Sequence, residues 1–528
     1  MLYEKDMPDS IDLGHHLSVV SRNRTLSPLK GLQKYFGKPG ILSLAGGLPS
    51  PEYFPFERVG ADILVAKSYA DNSTSKGTFA WIWDFFSSKA STVPISVPKY
   101  PESPEDVNLA TALQYGLARG LPQLQGVINE LTSRIYQPAY ANFVTLIHAG
   151  NTDGWMKIVT TLCNPGEGVL CSEWTYPSAL ATMVPYGIRS VPVKMDVQGM
   201  SSTSLRKTLT EWDEKGRGMR RPHVMYVVPV GQNPTGATMG AERKKEIYSI
   251  CVEFDVIIVE DDPYYFLQEG PYRSPSQRLR EQQTEMTDEK YIASLAPSFL
   301  KFDYQGRVVR LDTFSKIIAP GSRLGWFTCN PIFAERLERQ GETSTQAPSG
   351  FGQSLITQLL LNWQFKGCLQ WLKGLGLQYK QRRDFFIDCL FEKFHLEMAP
   401  APYGLFEGTP IYFASQMRRG YRNEKADTRV LFSFVPPTSG MFIWFQLHFD
   451  GHPQLRELGQ ETLEMKLWTA LAEGGLLIGP GSMFSADKAI EMSSQGHFRL
   501  SFSNATYDDL KKAVDIFEKV LREFHENA

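Results

Sequence analysis

Lys316 stands in the stretch DTFSKIIAPGSRLGW, which runs from Asp312 to Trp326. It follows an apolar run, keeps company with Thr313 and Ser315, and is followed by Arg323. Taken alone it reads as a solvated turn lysine. Other stretches change that reading. HVMYVVPV is followed by GQNPTG, which carries Asn233, and VIIVE by DDPYY, with Asp261, Asp262 and Tyr264. HAGNTDG precedes a helix beginning near Gly154, and a glycine-containing turn at a helix N-terminus suits an anion. Together these stretches supply an amide, a carboxylate, a phenol, an amine, a guanidinium and an anion cradle.

Strands must position these groups. GVLCSEW, HVMYVVPV, VIIVE and RVVRLDTF are short, nearly continuous apolar runs separated by helical patterns, and RLGWFTCN reads as a further strand. Such runs indicate parallel βαβ units covered on both faces. In open α/β sheets, ligands bind beyond the carboxyl ends of the strands, where these polar groups fall. GWMKIVTTLCN places Trp155, Ile158, Val159 and Leu162 on one helical face. Two long helices are expected near 349–365 and 368–394. The C-terminal part, with SGMFIWFQLHF, a helix through ETLEMKLWTALAEGG, HFRLSFS and an amphipathic final helix, reads as α+β. The expected division is an N-terminal arm and insertion over 1–104, packing on both domains, and a large α/β domain over 105–365. A smaller C-terminal domain follows over 366–528, including a linking helix. Segments near 70–105, 270–292 and 400–432 read as surface insertions with little regular structure.

The chain has 528 residues, 42% of them apolar, and a formal charge of −2, so nothing points to nucleic acid. The start lacks a continuous apolar core, which argues against a secretory signal or membrane anchor. The six cysteines form no CxxC pair and read as reduced thiols, with no metal site. A cytoplasmic protein without a membrane partner is expected.

The motifs LAGGLP, ALQYGLARGLPQL, HAGNTDGW, VGQNPTG, VEDDPYYFLQ, DTFSKIIAPGSRLGW and HFRLSFS occur in that order over about residues 24–503. In this set the chain resembles the fold-type I aminotransferases that use pyridoxal 5'-phosphate. It is most similar to the fungal aromatic amino acid aminotransferases and their kynurenine/aminoadipate aminotransferase relatives.

The resemblance implies a Schiff base between the cofactor and Lys316, whose amine also carries protons during the reaction. It implies that Asp261 holds the charge on the pyridine nitrogen, the Asp-x-Pro-Tyr spacing favouring it over Asp262. Asn233 and Tyr264 would bond the ring hydroxyl oxygen, and Tyr176 would stack on the ring. The phosphate would meet Asn151, Thr152, Thr313, Ser315 and Arg323. Tyr115 matches a tyrosine that reaches the phosphate of a neighbouring subunit, implying a homodimer with shared sites. Arg499, inside a strand, is costly there unless paired or facing a ligand, and matches the clamp for the substrate carboxylate. Asn233, Gly47 with its neighbour Gly46, and Arg24 on the N-terminal arm would complete substrate binding. The expected activity moves an amino group between phenylalanine, tyrosine or tryptophan and a 2-oxo acid such as 2-oxoglutarate, in a ping-pong cycle. Kynurenine or 2-aminoadipate transamination, or a lyase or decarboxylase outcome on the same fold, is the alternative. A nicotinamide enzyme is disfavoured because no GxGxxG follows a first strand. A DNA-binding regulator is disfavoured because only about forty residues precede LAGGLP, with no basic recognition helix.

Overall fold

The computed structural model describes the chain apart from residues 1–6, 27–34, 36–37, 39, 43, 46, 70–90, 117, 281–285, 417–428, 451, 488–494 and 527–528. Its centre is a seven-stranded sheet. The order is Val144–His148, Gly325–Cys329, Val308–Thr313, Ile257–Asp261, Val224–Val227, Gly168–Ser172 and Arg189–Val193. The last five strands pair in parallel, and Gly325–Cys329 runs antiparallel to both of its neighbours. Val144–His148 and Arg189–Val193 were not among the expected strands. Residues inside the strands interrupt the apolar run: Thr145 and His148 in the first, Arg189, Ser190 and Pro192 in the second.

The continuous apolar runs have a direct cause, because alternate side chains enter different hydrophobic layers. Ile258, Met225 and Leu170 join one layer, which includes Ile247 and Ile250 of the helix Ala241–Glu253. Ile257, Val259 and Val224 join the other, with Trp155, Ile158, Val159 and Leu162 of the helix Asn151–Leu162. The four helical residues expected on one face are thus buried together.

A second, six-stranded sheet has only antiparallel pairs. Its order is Phe394–Pro400, Pro410–Gln416, Val430–Phe434, Phe442–His448, Gln495–Ser501 and Gly479–Pro480. A third hydrophobic layer joins it to Leu455–Glu473 and Tyr507–Glu526. The long helical element Gly350–Lys393 touches both sheets' layers and is interrupted at Gln364, whose φ is 55° and ψ 179°. The two helices expected there meet at that residue.

The three segments read as irregular carry more structure than expected. Thr92–Pro98 pairs with Arg58–Leu64, burying Ile95 and Val97. Asp288–Ser294 is helical, and Pro410–Gln416 and Val430–Phe434 belong to the second sheet. Proline at the ends of Thr92–Pro98 and Pro410–Gln416 hid those strands, since turn residues look alike inside an insertion and at a strand boundary. The aromatic cluster of the first insertion lies outside the described residues.

The two sheet units meet backbone to backbone at Gly231 and Gly440. Both have left-handed φ, 58° and 85°. A Cβ on Gly231 would lie 2.6 Å from Gly440 Cα, and one on Gly440 would lie 2.9 Å from Gly231 Cα. Near the chain start, His15 and His16 bond Asp255 at 2.7 and 3.0 Å, and His16 also meets His223 Nδ1 at 3.0 Å. No described helix is long and apolar enough to cross a membrane.

Candidate active site

A cavity of about 460 Å³ opens at the carboxyl ends of the parallel strands. The helix Asn151–Leu162 points its N-terminus at it, so the first-turn amide groups and the helix dipole favour an anion. Arg323 completes this end. Its Nη2 donates to Ala149 O at 2.8 Å, and its Nη1 lies 3.4 Å from Ser315 Oγ. Thr313 Oγ1 donates to Ser315 Oγ at 2.9 Å. Gly150 has a φ of 92°, and a Cβ there would collide with the Arg323 guanidinium. Only glycine lets the cation approach the helix N-terminus so closely.

The middle of the cavity holds Asp261, the last residue of its strand. Its carboxylate accepts from Tyr226 Oη and from Asn151 Nδ2, each at 2.6 Å. Burial raises its pKa, against the pull of those two donors. Neither partner carries a charge, so among the described residues a buried carboxylate faces the cavity with no cation bonded to it. Asn151 Oδ1 is buried with no partner of its own among the described residues.

The next residue, Asp262, turns into a separate cluster beneath the site. Arg310 is 0% exposed, lies 3.1 Å from both Glu260 and Asp262, and forms two 2.9 Å bonds with Asp312. Its guanidinium packs 3.9 Å from the ring centre of Tyr136 and 4.7 Å from that of Tyr265. Lys244 Nζ approaches Glu260 at 3.8 Å.

Lys316 lines the cavity, and its pKa is lowered by burial first and by Arg499 second. Both effects favour the neutral amine, the form that attacks a carbonyl or takes up a proton. Arg499 sits on Gln495–Ser501, opposite Trp444. Its Nη1 donates to Asn233 Oδ1 at 2.9 Å, its guanidinium lies 4.5 Å from the ring centre of Phe442 and 4.8 Å from that of Phe484, and its Nε is buried without a partner among the described residues. Burial, and next the nearby Asp261, raise the phenol of Tyr264, while Arg499 and Asn233 pull it down. Tyr176 lines the wall.

Thus Asn151, Thr152, Tyr176, Asn233, Asp261, Tyr264, Thr313, Ser315, Lys316, Arg323 and Arg499 all line one cavity. The amide nitrogen of Asn151 is engaged by Asp261 and by Leu311 O, so an anion would meet its backbone NH. Three further residues are not in this lining. Arg24 donates to Thr343 Oγ1 at 3.3 Å, and its carbonyl accepts from Arg336 and Arg339 of the helix Pro331–Glu342. Gly47 is exposed, with nothing near its Cβ position, and Gly46 lies outside the described residues. Tyr115 is 59% exposed and lines another hollow with residues 344–351. Tyr226 and Phe442 line the cavity but were not singled out in the sequence. For Tyr226 a signal existed, because a phenol inside a buried apolar strand must find a hydrogen-bond partner.

Residues 102–409 match the family model for aminotransferase class I and II. The chain is 34% identical over 519 residues to an aromatic amino acid aminotransferase of Schizosaccharomyces pombe, covering 97% of this chain and 98% of that one. It is 35% identical over 488 residues to an L-tyrosine:2-oxoglutarate aminotransferase of Serpula lacrymans, covering 90% and 84%. The crystal structure of the aminotransferase Aro8 from Candida albicans superposes with a TM-score of 0.82 at 33% identity, covering 98% of this chain and all of that one.

Proposed function

The chain belongs to the aminotransferase class I and II family, and on that premise we propose that it transfers the amino group of an aromatic amino acid to 2-oxoglutarate. Its cofactor is pyridoxal 5'-phosphate. The observation that carries the assignment of roles is the meeting of three groups in one cavity: the Lys316 amine, the Asp261 carboxylate with uncharged partners, and the Arg323 anion cradle. This donor set fits a ligand with a phosphate at one end and a cationic ring nitrogen further in.

The first-turn amides of Asn151 and Thr152, with Ser315, Thr313 and Arg323, would bind the phosphate. Asp261 would keep a positive charge on the ring nitrogen, while Tyr226 and Asn151 hold its carboxylate in place. Tyr176 would pack on the ring, and Asn233 and Tyr264 would bond its hydroxyl oxygen. When bound, the cofactor supplies the carbonyl that takes up the amino group and a conjugated ring that spreads the electron pair left at Cα. Lys316 Nζ removes the Cα proton and returns it, a task its neutral form can perform. Arg499 binds the α-carboxylate, which the amino acid and the oxo acid share, so one clamp serves both half-reactions.

Among the described residues, the cations of the lining are Lys316, Arg323 and Arg499, and each has a task. The remaining wall includes Trp155, Tyr176, Tyr264 and Phe442, which suits a flat, uncharged side chain. The second carboxylate of 2-oxoglutarate calls for a cation from outside this lining. Arg24 on the arm is the candidate, once it leaves Arg336 and Arg339. Tyr115, exposed on this protomer, would serve the phosphate of a second one, which makes the working form a homodimer. A cytoplasmic location goes with this reading.

Lys316→Ala tests the assignment directly. Transamination should vanish, and borohydride reduction of the unsubstituted protein should leave a pyridoxyl label on Lys316. A label on another lysine overturns it. In a panel of amino donors, phenylalanine, tyrosine or tryptophan should outrun aspartate and alanine. The reverse order would defeat the aromatic assignment.

A further inference from the structure

The reading of Arg499 as the carboxylate clamp leaves open what keeps its long side chain in place. The strand Gln495–Ser501 lies between Phe442–His448 and Gly479–Pro480, with Arg499 opposite Trp444 on one side and Gly479 on the other. One nitrogen is tied to Asn233. The guanidinium also rests on two rings, Phe442 and Phe484. Phe442 lines the cavity, whereas Phe484 is 2% exposed and is not part of the lining.

Phe484 ends the short turn Gly481–Phe484, and that turn is fastened to the segment leading to Tyr176. Thr175 N donates to Phe484 O at 2.8 Å, and Ala486 N donates to Glu173 O at 2.8 Å. Gln232, the neighbour of Asn233, donates from Nε2 to Trp174 O at 2.7 Å. The contacts close a ring from Asn233 to Arg499, Phe484, Thr175, Trp174 and Gln232.

We infer that Phe484 is a positioning residue for carboxylate recognition, acting through Arg499. The inference rests on the proposed role of Arg499. A guanidinium against an aromatic ring is held by the ring quadrupole, and its plane is set by the ring. Arginine otherwise loses considerable rotamer freedom when it binds a ligand. The ring of Phe484 removes that freedom beforehand, and its backbone ties the clamp to the segment that carries Tyr176.

Two probes separate this role from direct contact with substrate. 3-Phenylpropanoate has the ring and carboxylate but no amine, and phenethylamine has the ring and amine but no carboxylate. Both are measured on the cofactor-loaded enzyme by competition with the amino donor. Phe484→Leu should weaken 3-phenylpropanoate about 3- to 30-fold. It should raise KM for amino acid and oxo acid together, with a smaller fall in kcat, and leave phenethylamine unchanged. Phe484→Tyr should behave as the unsubstituted enzyme. Equal weakening of both probes, or none of 3-phenylpropanoate, overturns the inference. Phe484→Met keeps the volume without the ring and is read the same way if the leucine variant loses its fold. Loss of the fold in both overturns a role confined to positioning. Arg499→Ala is measured alongside. If it leaves 3-phenylpropanoate binding intact, the clamp reading itself fails. If it abolishes that binding while Phe484→Leu does nothing, only the positioning role fails.

Discussion

Asp261 and Asp262 are adjacent, both buried, and hold their charges in opposite ways. Asp261 faces the cavity and is bonded by a phenol and an amide. Asp262 faces the cluster beneath, where Arg310 serves three carboxylates and Lys244 stands close to one of them. Burial raises both carboxyl groups. The difference lies in what opposes it: neutral donors for Asp261, and a cation in direct contact for Asp262. A buried carboxylate whose partners are neutral is oriented but not neutralised, so it retains affinity for a cationic ligand. One whose cation is built in is part of the framework.

The largest expected effect breaks the first half of this comparison. Asp261→Asn should lower kcat and kcat/KM together by orders of magnitude with the fold retained, because the amide cannot stabilise a cationic ring nitrogen. Turnover within a few-fold of the original would show that the carboxylate has no such role. Asp262→Asn should do the opposite. It should leave kcat within about tenfold and lower unfolding stability by about 1–3 kcal/mol, since the buried Arg310 keeps Glu260 and Asp312 but loses one charge-assisted bond. Comparable losses of turnover in the two variants would erase the distinction. Tyr226→Phe sharpens it, because it removes one neutral donor and no charge. Activity should fall about 10- to 100-fold, the worth of one hydrogen bond to a charged group, and a normal rate would mean that Asn151 alone holds Asp261.

His497 extends the series to a buried titratable group packed against rings, 4.8 Å from Trp174 and 5.1 Å from Trp444 by ring centres. Burial, with a smaller push from His448, lowers its pKa to about 3. The unfolded chain takes up a proton near pH 6.5 that the folded one refuses. Stability from this residue is therefore complete above that pH and is lost as pH falls toward 3. Between pH 7.5 and 5.5 the loss should be about 1 kcal/mol, read as a lower Tm, and His497→Phe should remove that part of the slope. An unchanged slope in the variant would assign the acid sensitivity elsewhere.

The sequence separated Asp261 from Asp262 only through its spacing to Pro263 and Tyr264, within a resemblance. Nothing local to DDPYY says which carboxylate meets Arg310. That partner lies on a neighbouring strand, where Arg310 pairs in register with Glu260. The parallel strands were legible because burial on both faces demands unbroken apolar runs. The strand Phe394–Pro400 was not, because it follows the helix Gly350–Lys393 without a break and its side chains are mostly not buried. Lys316 and Arg323 were legible from one short stretch, since both belong to the same strand-end loop. The Arg499 contacts were not, because Asn233, Phe442 and Phe484 come from three distant parts of the chain. Arg24 shows a limit of another kind: its motif locates it in the sequence, but Arg336 and Arg339 decide where its backbone rests.

The contact of Gly231 with Gly440 bears on how this enzyme can be recombined. The two residues come from the two sheet units and meet at van der Waals distance, with Asn233 two positions from one and Phe442 two positions from the other. A side chain at either position pushes against the opposite backbone, so neither site can be varied by itself. A chimera with its crossover anywhere between them inherits one half of the joint from each parent. It brings Asn233 and Phe442 into proper apposition only when both parents contribute glycine, however well the halves match elsewhere. The joint is thus a two-site compatibility determinant for shuffled descendants of this chain.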